Sequence, residues 1–298
     1  MIAAIRSLVR YRALVQSLVS RELKARYRGS VLGFFWSFVN PLLLLLTYTL
    51  VFTVILPGRQ SEAMQPYFLF FFTGILPWTW FSASLAESSG VLISSGNLIK
   101  KVLFPAEVLP AVTVIANLAH FLLGLPILLV FLAWKGKLGW TALLLPLPLL
   151  VQLVLCLGFA LFLSAITVHF RDVQSILGHV LHLWFFATPV LYHYGDIHGT
   201  LRQVLRMNPM THVLVSYQQI LFHGHFGHWR GLGLAFLVGV AVFAVGAFLF
   251  DRLDAQVPFY KLGDPSLIRG EIRRFRKALR ESDKQLLDLV RRGGHCPN

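Results

Sequence analysis

Six long stretches of this chain contain no aspartate, glutamate, lysine or arginine, and they restrict what it can fold into. They are residues 29–58, 63–86, 108–134, 138–170, 173–195 and 231–250, and their lengths run from 20 to 33 residues. A helix of about 20 apolar residues crosses the hydrocarbon core of a bilayer. Backbone groups in hydrocarbon must pair within the protein, which leaves helices or a closed barrel, and the apolar residues here are continuous rather than alternating. The sequence therefore predicts an all-α integral membrane protein with six transmembrane helices.

Composition agrees with a membrane protein and leaves other classes without support. Hydrophobic residues make up 56% of the 298 residues and charged residues only 13%, against roughly 25% charged in soluble domains. Two cysteines provide no disulfide framework. The first long apolar stretch follows a basic segment and is not followed by a small-residue cleavage site, so we expect no secretory signal peptide.

The placement of the positive charge predicts the orientation in the membrane. The net charge is +14, and a cytoplasmic N-terminus would put 21 of the 27 lysines and arginines on the inside and 6 on the outside. Cytoplasmic loops carry such an excess, so both termini are predicted to be cytoplasmic. Because the charge lies beside the apolar stretches, membrane lipids rather than nucleic acid are the predicted partners.

Four regions can be distinguished along the chain. Residues 1–30 predict a cytoplasmic amphipathic interface helix. Residues 31–258 predict the transmembrane domain, with a fifth span at about 173–192. Residues 195–228 are apolar but too short to cross twice, and Asn208 and Pro209 divide them, which predicts an outer re-entrant helical hairpin. Residues 259–298 predict a basic cytoplasmic tail.

Two basic elements are predicted on the cytoplasmic side. In the interface helix, Arg21, Lys24 and Arg28 share one face and would point toward lipid phosphate. Between the second and third spans, a short helix at about 94–104 is predicted to end before Pro105. Its exposed apolar side chains need another protein to cover them, although a helix lying on the lipid surface is the alternative. The residues of this predicted docking element are Leu98, Ile99, Lys100, Lys101, Val102 and Glu107.

No motif for catalysis or nucleotide binding is present in the sequence. It lacks the phosphate-binding loop, G-x-S-x-G, C-x-x-C and H-E-x-x-H patterns, so the chain is not predicted to be an enzyme. His179 and His182 could form a proton relay, but packed or interfacial histidines are the favoured interpretation. The histidines of HGHFGH (223–228) have a conceivable metal-ligand spacing, but no carboxylate or cysteine completes the set, so no metal site is predicted.

Several segments resemble one known family. The strings at 24–52 (KARYRGSVLGFFWSFVNPLLLLLTYTLVF) and 74–110 (GILPWTWFSASLAESSGVLISSGNLIKKVLFPAEVLP) closely resemble the permease subunit of type-two ABC exporters for polysaccharides. ATPVLY (187–192) and NPMTHVLVSYQQILFHG (208–224) resemble its outer hairpin. The family exports O-antigen, capsule or teichoic acid chains on lipid carriers, and the sequence does not distinguish among these substrates.

The resemblance implies partners and a location. It implies a homodimer in the cell inner membrane that binds two copies of a separate ABC ATPase, with the segment at 94–104 as the coupling helix. ATP and Mg would be bound by that ATPase, and no cofactor by this chain. An integral-membrane enzyme acting on lipid-linked sugars is the rival interpretation, as is an ion-coupled transporter that uses His179 and His182. The carboxylates that such an enzyme needs do not form an evident pair here.

An aromatic stripe on the first span is a candidate for the substrate path. At 100° per residue its members fall within about 80° of arc. Aromatic faces stack on sugar rings without fixing register, although the same stripe could pack against a helix or lipid. The resemblance implies that the first and fifth spans line the path. The predicted path residues are Phe34, Phe38, Tyr48, Phe52, Trp184 and Phe185.

Overall fold

The computed structural model describes residues 10–27, 35–51, 62–95 and 106–256. All regular structure in these ranges is helical, which confirms the predicted class for them. The helices are α1 (Arg12–Tyr27), α2 (Trp36–Leu50), α3 (Tyr67–Ser94), α4 (Val108–Trp134), α5 (Pro146–His169), α6 (Asp172–Phe186), α7 (Gly199–Met207), α8 (Pro209–Gln218) and α9 (Trp229–Gln256). Short 3-10 turns lie at Glu62–Met64, Trp140–Leu144 and Tyr194–Asp196, and a π-helical turn at Gln219–His223.

Four helices in the described ranges are long and apolar enough to cross a membrane. They are α3, α4, α5 with its preceding 3-10 turn, and α9 up to Phe250. The helices α2 and α6 have 15 residues each, or roughly 22 Å at 1.5 Å per residue, against a hydrocarbon core of about 30 Å. Within the described residues, four of the six predicted spans are therefore helices of membrane-crossing length, and α2 is bordered on both sides by residues outside the described ranges.

The fifth predicted span is shorter than expected. Its helix, α6, ends at Phe186 rather than at 192. Immediately beyond it, the side-chain amide of Asn208 donates hydrogen bonds to the Ala187 carbonyl and the Thr188 hydroxyl, both at 2.9 Å. Pro189 then lacks the N–H that a continuing helix would use. The start of the hairpin thus terminates this helix.

The helices α5 and α9 pack backbone against backbone. They run parallel, and a Cβ atom added to Gly158 would lie 2.7 Å from the nitrogen of Phe243. Gly239 and Gly246 of α9 also face α5, and a Cβ atom added to them would lie 3.2 Å and 2.9 Å from its backbone nitrogens. Small residues allow membrane helices this approach. Gly233, on another face of α9, has open space around it.

The two hairpin helices have different environments. In α7, Leu201 and Val204 are exposed and Leu205 is buried. Every described side chain of α8 from Met210 to Gln218 is buried. The helix lies against α3, α5 and α9, which explains why all its sides are covered.

Candidate transport and coupling site

The helix α1 lies against the end of the bundle at which α3 ends and α4 begins. Val15 and Leu18 are buried in an apolar cluster with residues of α3, α4, α5 and α9. The predicted interface residues Arg21 and Lys24 are exposed, whereas Arg28 lies outside the described residues. The helix therefore uses an apolar edge for docking and leaves these two cations accessible.

A polar cluster ties α1 to α3 and α4. The Arg26 guanidinium donates to the Glu87 carboxylate at 2.7 Å and to the Asn117 side-chain oxygen at 3.1 Å. The Asn117 amide in turn donates to the same Glu87 carboxylate at 2.7 Å. Asn117 is only 3% exposed, and its burial is compatible with this full set of partners. The three side chains couple the position of α1 to two long helices.

The predicted docking element connects the helix ends next to this cluster. Leu98, Ile99, Lys100, Lys101 and Val102 lie outside the described residues. Its last member, Glu107, is half-buried and directly precedes α4. The segment between α3 and α4 thus begins and ends at the end of the bundle where α1 docks.

A cavity of about 410 Å³ lies between α2, α3 and α4, close to this cluster. Asn40 and Pro41 of α2 line it, and Arg26 and Asn117 lie at its border. The lining residues on α3 and α4 include Thr79, Trp80, His120 and Phe121. Of the predicted path residues on the first span, Phe34 and Phe52 lie outside the described residues. Phe38 and Tyr48 belong to α2, but the structure does not describe their side chains.

The other two predicted path residues belong to an aromatic cluster between α3, α5 and α6. The Trp184 ring meets Phe81 edge-on at 5.1 Å and Phe159 at 5.6 Å between centroids. Its indole N–H donates to Asn208 at 2.9 Å. Phe185 lies 5.7 Å from Trp78. Both residues are half-buried, so they join the hairpin to the bundle and keep part of their surface accessible.

One side of α6 is polar and exposed. Only Leu177 and Leu181 of this helix are buried. Gln174, Ser175, Gly178, His179 and His182 recur at i, i+1, i+4, i+5 and i+8, and all are exposed. His179 and His182 are thus not packed within a single chain, and their position at an interface stays a prediction. Polar side chains in a membrane segment usually face protein or a water-filled space rather than lipid.

The loop histidines meet other histidines. His223 lies 5.4 Å from His193 between ring centroids, and His228 hydrogen-bonds His212 at 2.8 Å. Among the described residues, no three side chains of the histidine, cysteine, aspartate or glutamate types are placed to hold a metal ion. The sequence spacing suggested that His223 and His228 could lie in one cluster. In the fold, His223 lies beside His193, whereas His228 contacts His212.

Sequence reasoning missed two features of these sites. Arg26 was one basic residue among many, and its partner Asn117 was not singled out. Asn117 could have been recognised from the sequence, because it is a polar amide within the uncharged stretch 108–134. No local pattern connects His212 with His228, because the contact depends on how the hairpin folds.

Comparison with known proteins yields one family. A sequence profile of the ABC-2 type transporter family matches residues 13–222. The chain is 45% identical over 225 residues, or 74% of this chain and 85% of the relative, to the O-antigen export system permease protein RfbA of Myxococcus xanthus. A protein of the same name from Klebsiella pneumoniae is 28% identical, with 79% of this chain and 90% of the relative covered. The polysialic acid transport protein KpsM of Escherichia coli is 22% identical, with 79% and 92% covered.

Proposed function

Because this chain belongs to the ABC-2 type transporter family, we propose that it is the permease subunit of an ATP-driven exporter of lipid-linked polysaccharide. The observation that carries the proposal is the 45% identity to an O-antigen export permease over most of both chains. Since the polysialic acid transport protein is only 22% identical, an O-antigen-like chain is the first candidate for the substrate. As a permease, the chain is not itself an enzyme, and a separate ABC ATPase supplies the energy.

A deletion strain tests this function against the rival membrane enzyme. Without the exporter, complete polysaccharide should accumulate on its lipid carrier at the cytoplasmic face, and a plasmid copy of the gene should restore surface polysaccharide. Loss of an enzyme would instead change the structure of the glycan. A deletion strain with unaltered surface polysaccharide would contradict the proposal.

The proposed topology has six spans in the inner membrane with both termini in the cytoplasm. The four long helices, together with α2 and α6, supply the six segments, and the charge distribution supports the orientation. In a chain whose Cys156 and Cys296 are replaced by serine, cysteines at Lys137 and Thr200 should react with an impermeant thiol reagent added outside cells. A cysteine at Arg171, between α5 and α6, should not react. Labelling at 171 from outside would refute this orientation.

The proposed path lies between two copies of the chain. The polar exposed side of α6 supports this arrangement, because a second copy or a hydrated path would keep Gln174, Ser175, His179 and His182 away from lipid. The aromatic residues of the first span and of α6, namely Phe34, Phe38, Tyr48, Phe52, Trp184 and Phe185, would contact the moving glycan. The stoichiometry is two permease chains and two ATPase chains.

Paired substitutions in the first span test the path. Changing Tyr48 and Phe52 to leucine keeps bulk and hydrophobicity, so insertion and ATPase binding should persist while export falls. Phe35→Leu is the matched control, because Phe35 is an exposed aromatic residue outside the stripe. If the double variant and the control are expressed equally and export equally, the aromatic stripe serves only to pack the helix.

A further inference from the structure

A large cavity lies on the hairpin, at the end of the bundle opposite α1. Its volume is about 1180 Å³, and α7, α8, the turn at 194–196 and the start of α9 form its walls. Five of the chain's 11 histidines and three arginines line it. These residues are His193, His212, His223, His225, His228, Arg202, Arg206 and Arg230. No carboxylate belongs to the described part of its lining.

Two of the histidines are held in a defined arrangement. His212 is 3% exposed, and its Nε2 lies 2.8 Å from the Arg206 carbonyl oxygen. A carbonyl only accepts, so this nitrogen carries the proton, and Nδ1 of the neutral ring accepts from His228 Nε2 at 2.8 Å. Burial lowers the pKa of His228 to about 4, which keeps that ring neutral near pH 7. Its Nδ1 is then an acceptor, the group that a sugar hydroxyl needs.

A third histidine of the lining, His223, keeps one ring nitrogen buried. His223 packs against the rings of Phe70 and Phe222 at 6.4 Å and 5.2 Å between centroids. Its Nε2 is buried and has no hydrogen-bond partner in the described part of the chain. Such a group is costly to leave unsatisfied, and because the atom is buried it offers no hydrogen bond to a ligand in the cavity.

The arginines make the cavity positive. They are permanently charged and exposed, and Arg202 lies 5.5 Å from the centre of the Tyr194 ring. The nearby carboxylate of Asp196 lies outside the lining and contacts His193 at 3.3 Å. The cavity therefore combines three arginine cations with histidine side chains, of which His228 is neutral near pH 7, and with aromatic faces.

We propose that this cavity binds a saccharide that carries negatively charged substituents, carboxylate or phosphate. Guanidinium groups recognise both anions in a bidentate manner, while the imidazoles and the rings of Tyr194 and Trp229 suit hydroxyls and sugar faces. The volume exceeds the about 300–1,000 Å³ typical of sites for drug-sized ligands, so several sugar rings fit. That the ligand is a sugar chain rests on the proposed function. The preference for negative charge rests on the arginine side chains that line the cavity.

Calorimetric titration of the purified full-length chain in detergent tests the site without the ATPase. The probes are trigalacturonate, an uncharged trisaccharide, a phosphorylated trisaccharide and inorganic phosphate, at about 0.15 M salt to screen diffuse attraction. Either charged saccharide should bind at least about tenfold more tightly than the uncharged one, as hydrogen bonds to charged groups predict. The double variant Arg206→Gln/Arg230→Gln should lose about tenfold or more of that affinity.

A control variant removes a positive charge that lies outside the cavity. Lys135→Gln removes a cation that rests on Trp134 outside the cavity, and its affinity should equal that of the wild type. Equal affinity for charged and uncharged saccharides, equal losses in both variants, or no binding would overturn the proposal. Phosphate binding as tight as that of the charged saccharides would overturn the assignment to a saccharide. Normal export without this binding would refute the cavity proposal alone, and binding without export would refute only the proposed function.

Discussion

At the scale of single residues, the contacts of Arg26 connect the interface helix to the bundle. Its guanidinium reaches Glu87 and Asn117, which lie on two different helices. The side chains of Arg26 and Glu87 are 30% and 40% exposed, so water screens the ion pair and its worth is about 0.2–1 kcal/mol. The pair is too weak to hold α1 alone, and the buried Val15 and Leu18 supply the rest.

A double-mutant cycle measures this pair. Arg26→Gln and Glu87→Gln, singly and together, should give a coupling energy of about 0.5–1 kcal/mol in detergent unfolding, because each removes one charge of the same contact. Glu62, an exposed residue near the opposite end of α3, provides the control. Arg26→Gln with Glu62→Gln should be additive. A coupling of zero for Arg26 with Glu87 would mean that the contact contributes nothing to stability.

The residues of this site were only partly predictable. Arg21 and Lys24 could be placed on an exposed face, because helical spacing determines which residues share a face. The turn of Arg26 toward Glu87 and Asn117 depends on the angle at which α1 meets α4, and no local pattern encodes that angle. Trp184 was predicted as a path residue from its position, but its hydrogen bond to Asn208 depends on the return of the hairpin.

At the scale of elements, the contact between α5 and α9 depends on the absence of side chains. Gly158→Ala would place a methyl group 2.7 Å from a backbone nitrogen that cannot rotate away, and such overpacking costs about 1–3 kcal/mol. Gly233→Ala on the same helix pair has open space and should be neutral or stabilising. Thermal unfolding in one detergent compares the two variants. Equal melting temperatures would show that α9 can move away from α5 at little cost.

The hairpin should lose stability as the pH falls. Burial is the main cause that lowers the pKa of His223 and His228 to about 4 from an ordinary 6.5. Nearby charges also lower both values: those of His193, His225 and Lys137 act on His223. Those of His212 and Arg206 act on His228. Between these values the unfolded segment binds protons that the folded segment does not, so stability is full above pH 6.5 and declines toward pH 4. Hydrogen exchange should show weaker protection of residues 199–228 at pH 5 than at pH 7.

Glutamine variants separate this effect from a general response to acid. The double variant His223→Gln/His228→Gln should show a smaller difference between the two pH values, since glutamine does not titrate. His182→Gln, on the exposed side of α6, should behave as the wild type. Protection that is equal at both pH values in the wild type would contradict the role of these two histidines.

Long elements were easier to predict than short ones. Stretches such as 108–134 exceed what a bilayer requires, so composition alone predicts α4 and similar helices. The helix α6 ends early because Asn208, which is 22 residues beyond Phe186, binds the chain at Ala187 and Thr188. The burial of α8 on all sides was not predictable from its own residues, because it results from packing against α3, α5 and α9. Tertiary contacts determined both outcomes.

At the scale of the whole molecule, the two ends of the bundle carry different chemistry. One end has α1, the cluster of Arg26, Glu87 and Asn117, and the segment between α3 and α4. The other has the hairpin and its basic cavity. The helix α3, 28 residues long, extends between them and packs on α4, α5, α6 and α8. If the ATPase docks at the segment after Ser94 as proposed, a push there would reach the hairpin through this one helix.

The proposed docking of the ATPase at the first end gives the last prediction. Replacing Leu98 and Val102 with aspartate should abolish association with the ATPase, because losing buried apolar anchors costs upward of about 2 kcal/mol, or roughly thirtyfold in affinity. Copurification from membranes measures the association, and insertion into the membrane should be unchanged. Leu201→Asp/Val204→Asp is the matched control, because both residues are exposed at the opposite end. If the first variant still bound the ATPase while the control did not, the docking surface would lie on the hairpin, and the proposed orientation would be reversed.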